Sequence, residues 1–344
     1  MKILHICASW EQMNGAAVMA NLIMNSQRRE GHTVSSAIYA DKEELHNADE
    51  VWIHCGWKPC LWRAAFMGRN IKWMPHGCYD PVRLRYHGWK KRIAGPVERA
   101  CLRRADRIIA TCSAEKSWIE KYLGKKCPEI EVHDPKRFFN LDCADEVSAC
   151  GSPCNGRSLH LLYLGRRHPL KGLEFLEKAV ECLRRRNGDL ETEIKSEGSQ
   201  SAICNPPPEL RIVSSAVGAE KEKAWDWCDV LVLPTLSENF GLVVAEALEK
   251  GKRVITTDGA PAWGVDARPV EGCAGLYSGY GGRLIYLKGF RCGSTEERVR
   301  LLAKAIETEM EPMKIRTVFS SALPRCRSGH SSSRAYARSD ALGG

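Results

Sequence analysis

The chain has 344 residues and a mass of 38.5 kDa, with 44% hydrophobic and 27% charged residues. That balance excludes disordered and fibrous classes, and the length predicts two domains rather than one. The net charge of +9 permits contact with anionic partners without identifying one.

The longest uncharged stretch, residues 12–27, carries three Asn and is too short and polar to span a bilayer. Glu11 interrupts the start before a secretory apolar region could form, so a cytoplasmic location is expected. Sixteen Cys are then expected as buried small hydrophobes or incidental surface thiols rather than as disulfides, and their spacing completes no zinc site.

The first half alternates strands and helices. Residues 2–8 form a short apolar run that suits a buried parallel strand. Residues 16–29 carry Val18, Leu22 and Ile23 at helical spacing, and Gly31 ends that helix. Strands are predicted at 33–39, 51–54, 71–74 and 107–111. The alternation predicts a doubly wound α/β domain, whose ligand lies beyond the carboxyl ends of the strands. His54-Cys55-Gly56, Pro75-His76-Gly77 and Thr111-Cys112-Ser113 sit at such ends.

Residues 83–104 hold eight Lys/Arg against one acid, Glu98, with Trp89, Ile93, Val97 and Leu102 interleaved at roughly helical spacing. Two readings stay open: a solvated amphipathic helix pair, or a surface that rests on anionic lipid head groups or a phosphate-rich acceptor. No nucleic-acid motif accompanies the pattern, and no nucleic-acid partner is expected.

A seam without apolar periodicity at 142–157 is read as a linker. The second half repeats the architecture. Strands are predicted at 159–164, 190–196, 210–214, 230–233 and 254–257, and helices at 173–186, 220–227 and 242–250. The expected domains are 1–150 and 157–312, followed by an irregular basic Ser/Arg-rich tail at 313–344. Two such domains, with ligand loops at their strand ends, make a cleft.

Residues 237–248 (SENFGLVVAEAL) resemble the E-x7-E signature of the retaining GT-B glycosyltransferases of glycosyltransferase family 4, the glycosyl transferases group 1. Gly165-Arg166 and Lys171-Gly172 resemble that family's basic phosphate loop, and Glu197-Gly198 its central Gly turn. Asn14-Gly15 stands where the family often has Gly-Gly, and Gly31-His32-Thr33-Val34 resembles its GHxV. The stretch from Pro75-His76-Gly77 through Ala114-Glu115 resembles one subgroup. The likeness covers roughly residues 1–310.

The resemblance implies a GT-B fold: two Rossmann-like doubly wound domains facing across a cleft. It implies an enzyme that moves a hexose from a nucleotide diphosphate sugar to a saccharide or lipid-linked acceptor, with retention and without a metal, in cell-surface polysaccharide synthesis. Glu238, Lys171, Arg166 and His76 are the expected catalytic residues, with Arg167 competing for the role of Arg166. Glu246, Gly15, Asn239, Phe240, Gly241 and Leu242 are the expected donor-binding residues. Phe240-Gly241 opens a helix whose free N–H groups and positive dipole end suit a diphosphate. Glu238 would accept hydrogen bonds from the transferred sugar, and Glu246 would meet the ribose. No Asp-x-Asp occurs, so no metal or other cofactor is expected. Peripheral contact with the inner membrane face would use residues 83–104.

Three stretches depart from the family: residues 130–137, Gly259 to Gly264, and the end. Residues 320–344 contain seven Ser and four Arg without helical apolar spacing. That tail keeps a second reading open, a non-catalytic GT-B protein that binds nucleotide or glycan.

Overall fold

The computed structural model describes residues 1–11, 15–86, 88–141, 157–197, 206–214, 216–265 and 267–310, with backbone alone for 187–197 and 282. Asn14, Gly198, the tail from residue 313 and all of the linker reading but Arg157 lie outside the described residues.

The first half runs β1 (Lys2–Cys7), α1 (Gly15–Arg29), β2 (Thr33–Ala37), α2 (Lys42–Asn47), β3 (Glu50–His54), α3 (Pro59–Met67), β4 (Ile71–Met74), α4 (Pro81–Arg85), α5 (Gly88–Leu102), β5 (Arg107–Ala110), α6 (Ser113–Leu123) and β6 (Glu129–Val132). Its six strands are parallel, in the order β2-β1-β3-β4-β5-β6. Successive strand residues point to opposite faces. Leu4, Ile6, Val51 and Ile53 therefore pack with Leu45, Leu61, Ala64 and Leu102 of α2, α3 and α5. Ile3 and Trp52 meet Met19 and Ile23 of α1 on the other face.

The second half runs β7 (His160–Leu164), α7 (Leu173–Glu197), β8 (Glu209–Val213), α8 (Ala219–Trp227), β9 (Val230–Leu233), α9 (Leu242–Glu249), β10 (Arg253–Thr257), β11 (Arg268–Pro269), β12 (Leu276–Gly279), β13 (Leu284–Leu287) and α10 (Thr295–Met310). The sheet order is β11-β12-β13-β10-β9-β7-β8. It is parallel except that β12 lies antiparallel to both β11 and β13. Tyr163, Val232 and Ile255 pack under α7 and α10, while Leu162, Leu231 and Val254 pack under α8 and α9.

One reading is corrected. Residues 190–196 are not a strand, because α7 continues through them to Glu197. Leu190, Thr192 and Ile194 alternate with Glu191 and Glu193, a two-residue period that resembles a strand. Leu, Glu and Lys nonetheless favour helix, and extending a helix already begun at Leu173 needs no new nucleus. The strands β6, β11, β12 and β13 add to those predicted.

Each sheet has a point where the strand order switches sides, between β1 and β3 in the first and between β7 and β9 in the second. Ligands of open α/β sheets bind beyond the carboxyl ends of the strands at such a switch point. Gly15 opens the helix that follows β1, and the loops after β7 and β9 contain Lys171 and Glu238, respectively.

Candidate functional site

The loop after β7 tightens into a 3-10 turn, Pro169–Lys171, and leaves it at Gly172 with φ +64°. A Cβ on Gly172 would run into the Pro234 carbonyl, so the loops after β7 and β9 close only around a glycine. Leu236 N–H and Thr235 Oγ1 both donate to the Leu170 carbonyl, at 2.8 and 3.0 Å. These ties carry Lys171 to Glu238, and the ammonium donates to Glu238 Oε2. Burial works to raise the Glu238 carboxyl, but Lys171 and Arg83 outweigh it and hold it below the usual carboxylate range.

Beyond Glu238 the chain turns through Gly241, at φ +74°, into α9. Phe240 is anchored by Trp263, whose Nε1 donates to its carbonyl and whose ring lies 5.0 Å away. Val244 N–H donates to the Gly241 carbonyl at 2.8 Å, while the N–H groups of Leu242 and Val243 have no partner within the helix, as at any helix start. The N-terminus of α1 lies opposite. A Cβ on Gly15 would lie 3.7 Å from Leu242 Cδ1.

Glu246 lies one turn into α9, half-buried, with Lys221 Nζ of α8 2.6 Å from its Oε2. The pair is ionic rather than an aligned hydrogen bond, and that oxygen has no hydrogen-bond partner. Arg166 is exposed and makes no ion pair among the described residues; its carbonyl accepts from Tyr163 OH at 2.9 Å. Arg167 is also exposed and lies 3.6 Å from Glu177. Of the basic loop, only Lys171 thus meets the signature.

The first domain contributes more than was expected. His76 is buried at a left-handed backbone position, φ +54°, just beyond β4. Burial and the neighbouring Arg83 push its pKa down to about 3, so it is neutral. A Cβ on the next residue, Gly77, would meet Asn239 Cβ at 3.0 Å. Thr111 Oγ1 lies 2.7 Å from Glu115 Oε2 and 2.9 Å from Asn239 Oδ1. Arg83 Nε donates to Ser237 Oγ at 3.0 Å, Ser237 Oγ donates to Asp80, and Arg291 donates to the other Asp80 oxygen. Sequence reasoning grouped Arg83 with the lipid-facing cations and left Asp80, Ser237 and Lys221 unassigned. For Arg83, the available signal was its place just after the Asp80-Pro81 helix start, seven residues beyond His76.

Among the described residues no helix is long and apolar enough to cross a membrane. On α5 the exposed residues include Trp89, Ile93 and Val97, at 66, 72 and 42% exposure, with Lys90 and Arg92 exposed beside them. Gly95, Glu98, Cys101 and Leu102 are the buried side.

Comparison with known proteins agrees with this layout. Residues 158–273 match the family described as glycosyl transferases group 1. The D-inositol 3-phosphate glycosyltransferase of Pseudarthrobacter chlorophenolicus is 31% identical over 172 residues, covering 44% of this chain and 40% of that protein. This chain thus matches less than half the length of that curated relative. Among solved structures, Anabaena HepE in complex with UDP-glucose aligns with a TM-score of 0.56 at 15% identity, over 93% of this chain and 94% of HepE. Sucrose-phosphate synthase from Thermosynechococcus elongatus aligns with a TM-score of 0.55 at 14% identity, over 93% of this chain and all of that one. The chain therefore has the GT-B fold, two Rossmann-like domains, and its second domain is similar to the glycosyl transferases group 1.

Proposed function

We propose that the chain is a glycosyltransferase that takes a hexose from a nucleotide diphosphate sugar, with retention and without a metal. The observation that carries this reading is the Lys171–Glu238 pair at the switch point of the second sheet, set before two facing helix N-termini. A diphosphate needs concentrated positive charge, and stabilising the charge that develops on a leaving group is usually the largest catalytic term. Lys171, Arg166 and the first N–H groups of α9, around Asn239, Phe240, Gly241 and Leu242, supply it in this reading. Gly15 leaves room for the donor at the α1 N-terminus. Glu238 accepts from hydroxyls of the transferred sugar, and Glu246 from the ribose. His76 faces the sugar from the first domain.

In the reaction, the bond from the anomeric carbon to the diphosphate oxygen breaks. A bond to the acceptor hydroxyl oxygen forms on the same face, and the hydroxyl proton passes to the leaving phosphate. The acceptor class in this reading is a saccharide or lipid-linked saccharide of cell-surface polysaccharide synthesis. The exposed Trp89–Ile93–Val97 stripe with its flanking cations supports contact with an anionic membrane surface.

A thermal-shift panel of nucleoside diphosphates, followed by transfer from labelled nucleotide sugars, tests the proposal. Binding stabilises by RT ln(1 + [L]/Kd), so a donor-site ligand must raise the midpoint. A shift with no transfer or hydrolysis would favour the non-catalytic reading, and no shift with any nucleoside diphosphate would remove the donor assignment.

A further inference from the structure

Three histidines line up through the first domain. His5 lies on β1 beside Trp52 of β3, and His54 ends β3 two residues further along the same face. His5 Nδ1 lies 2.9 Å from His54 Nε2, and His54 Nδ1 lies 2.9 Å from His76 Nε2. At the far end His5 Nε2 meets the Gln27 Oε1 of α1 at 2.7 Å. All four side chains are buried: His5 and His54 fully, His76 and Gln27 at 7 and 8% exposure. The rings are stacked, with centroids 5.1 Å apart for His5–His54 and 5.2 Å for His54–His76, and Trp52 is stacked 5.4 Å from His5. Such packing leaves each imidazole one orientation.

The hydrogen-bond direction along the row follows from one atom. An amide oxygen only accepts, so His5 Nε2 carries the proton. A neutral His5 then offers Nδ1 as an acceptor, which requires the proton of His54 on Nε2. His54 Nδ1 accepts in turn, which requires the proton of His76 on Nε2. Burial keeps all three rings neutral. The one nitrogen left over is His76 Nδ1, a lone pair. It has no hydrogen-bond partner among the described residues and is not among their sealed, unpartnered atoms, so it keeps some accessible surface, and the next residue, Gly77, packs against Asn239 of the second domain.

We propose that Gln27, His5 and His54 are positioning residues: a buried relay, polarised by the Gln27 oxygen, that fixes His76 as the Nε2–H tautomer and presents its Nδ1 lone pair to a sugar hydroxyl in the cleft. The part played by the sugar rests on the glycosyltransferase reading; the tautomer does not. An isolated imidazole would divide itself between two tautomers and would both donate and accept. A ring held in one tautomer only accepts there, which selects a hydroxyl that points its proton at the ring.

Long-range proton–nitrogen NMR of the full chain labelled at histidine nitrogens reads the tautomer directly. His76 should show a protonated Nε2 and a bare Nδ1, with the resonances assigned by single His→Gln replacements. Gln27→Leu should let His76 populate both tautomers, and Gln27→Glu, which keeps an accepting oxygen, should restore the wild-type pattern. In transfer assays Gln27→Leu should lower kcat on the order of tenfold with KM for the donor unchanged, and Gln27→Glu should recover it. Gln27→Glu also separates the relay from a folding defect, since a merely structural role would show in the melting temperature and leave the tautomer of a folded His76 unmoved. A wild-type His76 protonated at Nδ1, or a spectrum unchanged in Gln27→Leu, overturns the relay. If no nucleotide sugar turns over, the functional reading fails while the spectra still decide the relay. If transfer proceeds with wild-type kcat in Gln27→Leu, the functional reading stands and the proposed role falls.

Discussion

Gly15 and Leu242 face each other across the domain boundary: a Cβ on the glycine would lie 3.7 Å from Leu242 Cδ1. Each residue opens a helix, so two positive helix ends share one small space. A methyl group fits at that separation and a branched chain does not. Gly15→Ala should keep the thermal shift given by nucleoside diphosphates, and Gly15→Leu should abolish it. Because Gly15 is exposed, the melting temperature without ligand should change little in either variant.

Lys171 and Glu238 should behave as a unit. Lys171→Met leaves Glu238 with less compensation for its burial, whereas Lys171→Met with Glu238→Gln leaves no carboxylate to compensate. The single variant is therefore expected to be less stable than the double in urea titrations. Turnover of labelled nucleotide sugar should fall on the order of a hundredfold in Lys171→Met. Equal turnover in Lys171→Met, Glu238→Ala and the wild type would remove both from the chemistry.

The histidine row sets an acid limit on stability. Burial lowers His5 from the ordinary 6.5 to about 4, with Gln27 opposing and Arg28 adding, and His76 to about 3. Between 6.5 and those values the unfolded chain binds protons that the folded chain refuses, so stability falls as pH falls through that window. The slope is about 1.4 kcal/mol per pH unit for each such histidine. Urea midpoints measured from about pH 7 to about pH 4.5 should show it, and His5→Phe should make the decline shallower by one histidine. A decline equally steep in that variant would assign the acid sensitivity elsewhere.

The exposed face of α5 should be dispensable for folding. Trp89→Ser with Ile93→Ser should alter stability by about 0.5 kcal/mol or less. Co-sedimentation with phosphatidylglycerol vesicles should drop in that variant and at high salt. A wild-type chain that never sediments with such vesicles would end the membrane reading.

The signature stretch and Lys171 were legible because backbone demands mark them: a glycine at Gly172, a glycine turn into α9 and short apolar strands before each loop. For Arg166 the sequence gives the loop but not the direction of the side chain, which stands exposed and makes no ion pair among the described residues. The stretch 190–196 was misread because a short two-residue alternation competes with helix propagation, and the outcome rests on the preceding turns of α7. His54 was marked only by its place at the carboxyl end of a strand, and His5 inside an apolar run carried no mark at all. Their meaning lies in the register of β1 against β3, which pairs Cys7 with His54 and His5 with Trp52 and is fixed only when the sheet forms.

Ser237, immediately before Glu238, is gripped by Arg83, while Ser237 and Arg291 share Asp80 between them. Any rotation of one domain against the other must break those bonds or drag the signature loop along. Domain angle and the placement of the Glu238 carboxylate are thereby geared together, so that a swing of the domains would move the group proposed to hold the donor sugar.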